Sequence, residues 1–383
     1  MPPPPDGGEG QGEGAVLGHA TIMKDRLKIT IYCPDENFRL SANLVHDQGV
    51  GGGKTAIVSL AHAFARLGHK VNVTGYVVEG VSGGVEYSGL NRVDRIETDL
   101  LLVTTSSKMD LAGLRDLKID AQAKYLWLHG VSPVTGGEDQ SWDGIVCVSH
   151  FVKNHFLEKT RIPREKYCVI HNGVDPALFK FQYRFIKRNP HRIVFASHPV
   201  KGLDRVIRIV DSLRKTVSDR FHLDVFGGYK LWGQDQPELK LTGGFATFHG
   251  LLPQRELIRR LFACSFMINL YDIPEGFGLI YPQAMKAGII CIVSNVGGVS
   301  EVIRDGLNGF LVHDPLQTES AGKDAERIIA HLLKNPGMMA EIRRNGMRYN
   351  RGWKEVAEDF VNLFRSGWIA GTDVSGDRKA QRA

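Results

Sequence analysis

Short apolar runs alternate with helix-period segments along most of this chain, in two series separated by a stretch that has neither pattern. In the first series the runs at 27–33, 71–77, 100–104, 125–128, 145–148 and 167–170 read as strands. In the second, the runs at 192–197, 221–226, 246–249 and 266–271 do the same. A strand covered by helices on both faces is apolar without alternation, and strands alternating with helices make a doubly wound parallel sheet. At 383 residues the chain exceeds one ordinary core, so two such domains are expected. The expected plan is a disordered extension over 1–26, domains over 27–180 and 181–365, and a polar tail over 366–383. The last helices are expected to pack back on the first domain.

The most informative stretch is 274–288, which begins Pro274-Glu275-Gly276-Phe277-Gly278-Leu279. It follows an apolar run and leads into a short helix, the place where open α/β sheets bind ligands. Gly276 and Gly278 let backbone come close to a ligand. The free N–H groups of a helix start favour an anion, most often phosphate. Glu275 can accept from hydroxyls at the mouth of the turn. Phosphate plus polyol suggests a sugar phosphate or nucleotide, with an ordinary buried corner bearing an exposed Glu as the bland alternative.

A second glycine loop spans 49–55 and ends Gly53-Lys54-Thr55. An ATPase P-loop needs glycine at 48, where this chain has Gln48, and an apolar strand directly before the loop. The loop therefore reads as a generic anion site at a helix start, built on Gly51 and Gly52 with Lys54 as a point charge.

Five scattered cysteines (Cys33, Cys147, Cys168, Cys264 and Cys291) sit mostly in apolar runs and read as reduced core thiols of a cytoplasmic protein. The first twenty residues have no apolar signal core, and no run approaches the ~18–20 residues of a membrane span. Charge is concentrated: between Phe151 and Arg192 there are ten Lys/Arg and three acids. That excess fits a solvated surface, an anionic membrane surface touched from the cytoplasmic side, an acidic acceptor or ligand phosphates. Nucleic acid is disfavoured, because interleaved exposed aromatics and a binding motif are lacking.

Several segments together carry a family resemblance. Residues 274–288, the run Val296-Gly297-Gly298-Val299-Ser300-Glu301 and the run Asp305-Gly306-Leu307-Asn308-Gly309 resemble the retaining glycosyltransferases of family 4, group 1. Upstream, Gly51-Gly52, Gly68-His69-Lys70, Val148-Ser149-His150, His171-Asn172-Gly173-Val174-Asp175, Lys201-Gly202-Leu203-Asp204 and Phe248-His249-Gly250 fit in the same order. The resemblance covers about 27–364 and implies the GT-B architecture, two Rossmann-like domains facing a central cleft.

It also implies a reaction: a sugar moves from a nucleotide diphosphate to an acceptor hydroxyl with retention of configuration and without a metal or other cofactor. The chain has no Asp-x-Asp pair, in keeping with this. The donor, UDP-, GDP- or ADP-linked, would lie on the second domain, and a glycan, lipid-linked or small-molecule acceptor on the first, at loops such as 132–141. Lys201 matches the phosphate lysine and Glu275 the acid on the donor sugar. Gly276, Phe277, Gly278 and Leu279 would meet sugar and diphosphate, and His129, ending an apolar strand, matches the histidine near the reacting sugar. Two positions depart from the pattern. Gln283 stands where a second Glu usually grips the ribose, and Ala196 where an arginine usually clamps the diphosphate, leaving Lys54, Arg205 or His198 as substitutes. The competing reading is a weakened GT-B protein that binds nucleotide or glycan as a partner; a phosphorylase-like enzyme of the same architecture lacks a matching cofactor-lysine motif.

Overall fold

The computed structural model describes residues 25–367, apart from 37–38, 105–108, 137–140, 235, 237–243 and 314–319. Most of the expected N-terminal extension and C-terminal tail, and the centre of the 132–141 loop, lie outside these residues.

The first half runs β1 (Lys28–Cys33), α1 (Leu44–Asp47), α2 (Gly52–Arg66), β2 (Lys70–Gly75), β3 (Gly80–Ser82), β4 (Val85–Gly89), β5 (Arg95–Thr104), β6 (Met109–Asp110), β7 (Lys118–Leu128), β8 (Val134–Thr135), β9 (Gly144–Cys147), α3 (His150–Lys159) and β10 (Tyr167–Val169). Its main sheet has the order β10-β9-β7-β5-β1-β2-β4-β3. Every neighbour pair is parallel except β3 with β4. That edge hairpin was not foreseen: its three-residue outer strand is fully exposed, so it carries no apolar run to read. The inner strands are buried along their length, with Ile29, Ile31, Val73 and Leu102 wholly enclosed.

Two short 3-10 turns, Pro176–Leu178 and Phe181–Phe185, connect to the second half. There β11 (Arg192–Ser197), α4 (Leu203–Thr216), β12 (His222–Gly227), β13 (Ala246–Gly250), α5 (Gln254–Leu261), β14 (Phe266–Asn269), α6 (Ile280–Lys286), β15 (Ile290–Ser294), β16 (Phe310–Val312), α7 (Ser320–Lys334), α8 (Pro336–Met347) and α9 (Trp353–Arg365) follow in turn. The sheet order is β13-β12-β11-β14-β15-β16, parallel throughout. The order reverses between β11 and β14. Their carboxyl ends therefore flank a crevice of the kind that holds ligands in open α/β sheets.

The chain crosses back at its end. Helix α9 buries Trp353, Val356, Phe360 and Leu363 on one face, at helical spacing. Phe360 sets its ring edge-on against Phe64 of α2 and Trp127 of β7, 6.1 and 5.6 Å between centroids. At the crossing, Gly173 lies so near Gly352 that a Cβ would sit 2.4 Å from its carbonyl carbon. All five cysteines are free and buried, as core thiols should be. Among the described residues no helix is long and apolar enough to cross a membrane.

Candidate active site

A cleft of about 440 Å³ opens between the two sheets. His129, Lys201, Glu275, Gly51, Gly52, Lys54, Phe277, Gly278, Leu279 and Gln283 all line it, so the fold gathers residues that the sequence spreads over more than two hundred positions.

Lys201 follows β11, on a turn closed by a hydrogen bond from its own N–H to His198 O (2.9 Å) and by left-handed Gly202. Glycine is required there, since a Cβ on Gly202 would lie 2.3 Å from Leu270 O. Glu275 follows β14, the strand beside β11. The Lys201 ammonium and the Glu275 carboxylate meet at 2.6 Å, with Lys201 Nζ donating to Glu275 Oε2. The same oxygen accepts from the Tyr271 hydroxyl at 2.9 Å. Behind it, Glu275 O accepts from Gly298 N at 2.8 Å, which fixes the turn to the loop after β15.

Across the cleft, Gly51 is the N-cap of α2, and no side chain caps that helix start. Its first N–H groups are left to face the cleft, a ready anion site. Lys54, one turn in, is buried and pairs with Asp35 at 3.4 Å, so its charge is partly answered from within the first domain. His129 follows directly on β7, with its ring tilted on Trp127 at 4.2 Å. Its Nε2 is buried without a hydrogen-bond partner, and burial pushes its pKa down to about 3. The imidazole is thus neutral at physiological pH, and its unmatched nitrogen is free for a ligand.

The two departures from the family pattern also acquire surroundings. Gln283 is buried and gives Nε2 to Gln254 Oε1 at 2.8 Å, both amides lining the cleft. Leu251, Leu252 and Leu257 wall this end, so it offers a neutral polar pair in an apolar frame. Of the substitutes expected for the arginine missing at Ala196, neither His198 nor Arg205 serves. Burial holds His198 neutral; its Nδ1 accepts from Val200 N, its Nε2 meets Gln234 Oε1 at 3.0 Å, and its ring stacks on Trp232 at 3.9 Å. Arg205 gives Nη1 to Leu270 O at 2.6 Å and does not line the cleft. Among the described lining residues the cations are Lys54 and Lys201.

One expectation changes in kind. Gly276 was read as a glycine that lets a ligand approach, but it lets the other domain approach. A Cβ there would lie 2.1 Å from His129 O, and Gly276 O accepts from Ser149 Oγ at 2.5 Å. Sequence reasoning missed Tyr271 and Gln254, which stand outside the quoted motifs. It quoted Ser149 and Glu301 without giving them work. Glu301, from the loop before β16, accepts from the backbone N–H of His150 (2.9 Å) and Phe151 (3.0 Å) and pairs with His171 Nε2 (2.8 Å). It caps α3 across the domain boundary.

Comparison with known proteins agrees with this architecture. Residues 186–349 match the family profile described as "Glycosyl transferases group 1", and residues 139–178 match "Glycosyltransferase Family 4". An uncharacterized glycosyltransferase of Methanocaldococcus jannaschii is 26% identical over 55% of this chain and 55% of its own length. The D-inositol 3-phosphate glycosyltransferase of a Nocardioides species is 24% identical over 51% of this chain and 48% of its own. The chain thus spans about half the length of these curated relatives. Among solved structures, Anabaena HepE in complex with UDP-glucose shares the fold at a TM-score of 0.64 and 16% identity, covering 88% of this chain and 100% of that one. WaaG, a glycosyltransferase involved in lipopolysaccharide biosynthesis, does so at 0.62 and 14%, covering 88% and 100%.

Proposed function

Because this chain belongs to the group 1 glycosyl transferases and carries the GT-B fold, we propose that it transfers a sugar from a nucleoside diphosphate to an acceptor hydroxyl, with retention and without a metal. The observation that carries this reading is the Lys201–Glu275 pair at 2.6 Å, at the ends of the two strands where the second sheet reverses its order. A cation for phosphate and a carboxylate for sugar hydroxyls stand side by side there. The apolar end with Gln283 and Gln254 suits a nucleoside.

Lys54 and Lys201 each face a carboxylate, Asp35 and Glu275. A diphosphate draws Lys201 toward itself and releases Glu275 to the sugar. The α2 start and the ammonium then stabilise charge on the departing phosphate, the main electrostatic lever for such a step. The anomeric C–O bond to phosphate breaks, the acceptor oxygen bonds to the same face, and its proton goes to the leaving phosphate oxygen. No protein base is needed. His129, neutral, serves as a hydrogen-bonding wall beside the reacting sugar.

HepE is described with UDP and with UDP-glucose, so UDP-linked donors come first in a panel that includes GDP- and ADP-sugars. Sugar release from one of them, lost in Lys201→Ala and Glu275→Ala variants that still fold, supports the reading. No release and no thermal shift with any nucleoside diphosphate would overturn it; a ligand at ~100 times its Kd adds about 2.7 kcal/mol.

The connector between the two domains reads as a contact for an anionic membrane. The 151–192 segment was expected to lack interleaved exposed aromatics, but it has two: Phe181 and Phe185 are 68% and 76% exposed, edge-to-face at 5.5 Å, on a connecting turn that also carries Lys180, Arg184 and Lys187. Exposed aromatics ringed by cations fit an anionic lipid interface. Cosedimentation with phosphatidylglycerol vesicles, absent with phosphatidylcholine alone and lost in Phe181→Ser/Phe185→Ser, is the expected result.

A further inference from the structure

Resting on the donor-site reading above, we propose that Tyr271 is the positioning residue of this cleft, holding the Glu275 carboxylate and offering its ring to the Lys201 ammonium.

Tyr271 lies just past the end of β14, 3% exposed, with its N–H fixed to Ser294 Oγ at 2.7 Å. Its hydroxyl reaches Glu275 Oε2 at 2.9 Å, and the Tyr281 hydroxyl at the same distance. Its ring centroid is 5.1 Å from Lys201 Nζ, within cation–π range. One side chain therefore touches both members of the ion pair.

The hydrogen bonds run in one direction. Glu275 can only accept when ionised, so the Tyr271 hydroxyl donates to it and must accept from Tyr281. The side chain of Asn269 in turn bonds the Tyr281 oxygen, which leaves the amide as donor. Burial keeps both phenols protonated far above neutral pH, so the chain of donors persists. Gly278, at φ 73°, passes over the Tyr281 ring, where a Cβ would come within 2.4 Å. The glycine turn that bears Glu275 is thus laid on the same aromatic pair.

This arrangement solves a problem of the ion pair itself. When a diphosphate takes Lys201, Glu275 loses its cation and would be left to swing. The Tyr271 hydroxyl stays, so the carboxylate keeps its aim.

The test is Tyr271→Phe, with Tyr281→Phe as comparator because Tyr281 touches the relay and not Glu275. For donor turnover, Tyr271→Phe should lower kcat about 10- to 100-fold, as a misaimed group does, with KM and UDP affinity within about threefold. Tyr281→Phe should cost less than about tenfold. Unchanged kcat in Tyr271→Phe, or a loss that appears equally in UDP affinity and thermal stability, overturns the proposal. A second arm needs no donor: in ligand-free crystal structures Glu275 should keep its present rotamer in Lys201→Ala, held by the Tyr271 hydroxyl, and leave it in Lys201→Ala/Tyr271→Phe. Glu275 keeping that rotamer in the double variant would overturn the positioning role, whereas wild-type protein that binds no nucleoside diphosphate overturns only the functional reading.

Discussion

Gly276 and His129 touch backbone to backbone across the cleft: a Cβ on Gly276 would stand 2.1 Å from the His129 carbonyl oxygen. The two residues come from different sheets, so this contact sets how near the domains can come.

Gly276→Ala should therefore hold the domains apart without unfolding either. Its circular dichroism should match wild type, its radius of gyration by solution scattering should rise, and its turnover should fall at least ~100-fold, since a shift of ~1 Å is enough for that. An unchanged radius together with unchanged turnover would mean the contact yields cheaply.

Glu301 caps α3 from the other domain, and its pH dependence follows. Burial alone would raise its pKa, but the His171 hydrogen bond and the N–H groups of His150 and Phe151 outweigh burial and hold it below the usual glutamate value. The stability it contributes is present above the unfolded-state value of about 4.3 and is lost as pH falls through the lower folded value. Glu301→Gln should cost about 1–3 kcal/mol at pH 7. The Tm gap from wild type should narrow on acidification.

His129 gives a different acid signature. Its folded pKa of about 3 lies below the ordinary histidine value, so between the two the unfolded chain takes a proton that the native state refuses. Wild type should lose stability as pH falls from about 6.5. His129→Gln should show a shallower loss of Tm between pH 7 and pH 5. Donor turnover should show no inflection near pH 6.5 from this residue.

Gln283→Glu restores a carboxylate where the cleft has a neutral amide. Gln254 can turn its NH₂ toward it, so the variant should fold. A charge-assisted grip adds ~1 kcal/mol or more, about fivefold in Kd for the preferred nucleoside diphosphate by calorimetry. Affinity that does not change across the UDP, GDP and ADP panel would place the ribose elsewhere.

Much of the fold was legible because parallel strands covered on both faces are apolar runs, and Leu100 to Thr104 or Phe266 to Tyr271 leave little choice. The hairpin β3–β4 was not legible, because its outer strand is exposed and carries no apolar run. At the site, Glu275 and the glycine turn were readable because they follow an apolar strand, and Lys201 because it matches the phosphate lysine of the family the chain resembles. Tyr271 was not: in sequence it is one more apolar residue closing a run.

By itself the sequence determined two α/β units and the cleft between them, since hydrophobic periodicity is a local property, while most of the lining was named through the family resemblance of its motifs. It could not say which groups would satisfy one another. That Lys201 faces Glu275, that Lys54 is answered by Asp35, that His198 is a neutral stacked ring and no clamp, and that Gly276 receives a domain instead of a ligand were decided only by the tertiary structure. Charge pairing and close backbone contact depend on distances between residues far apart in the chain, and only the packed fold sets those distances.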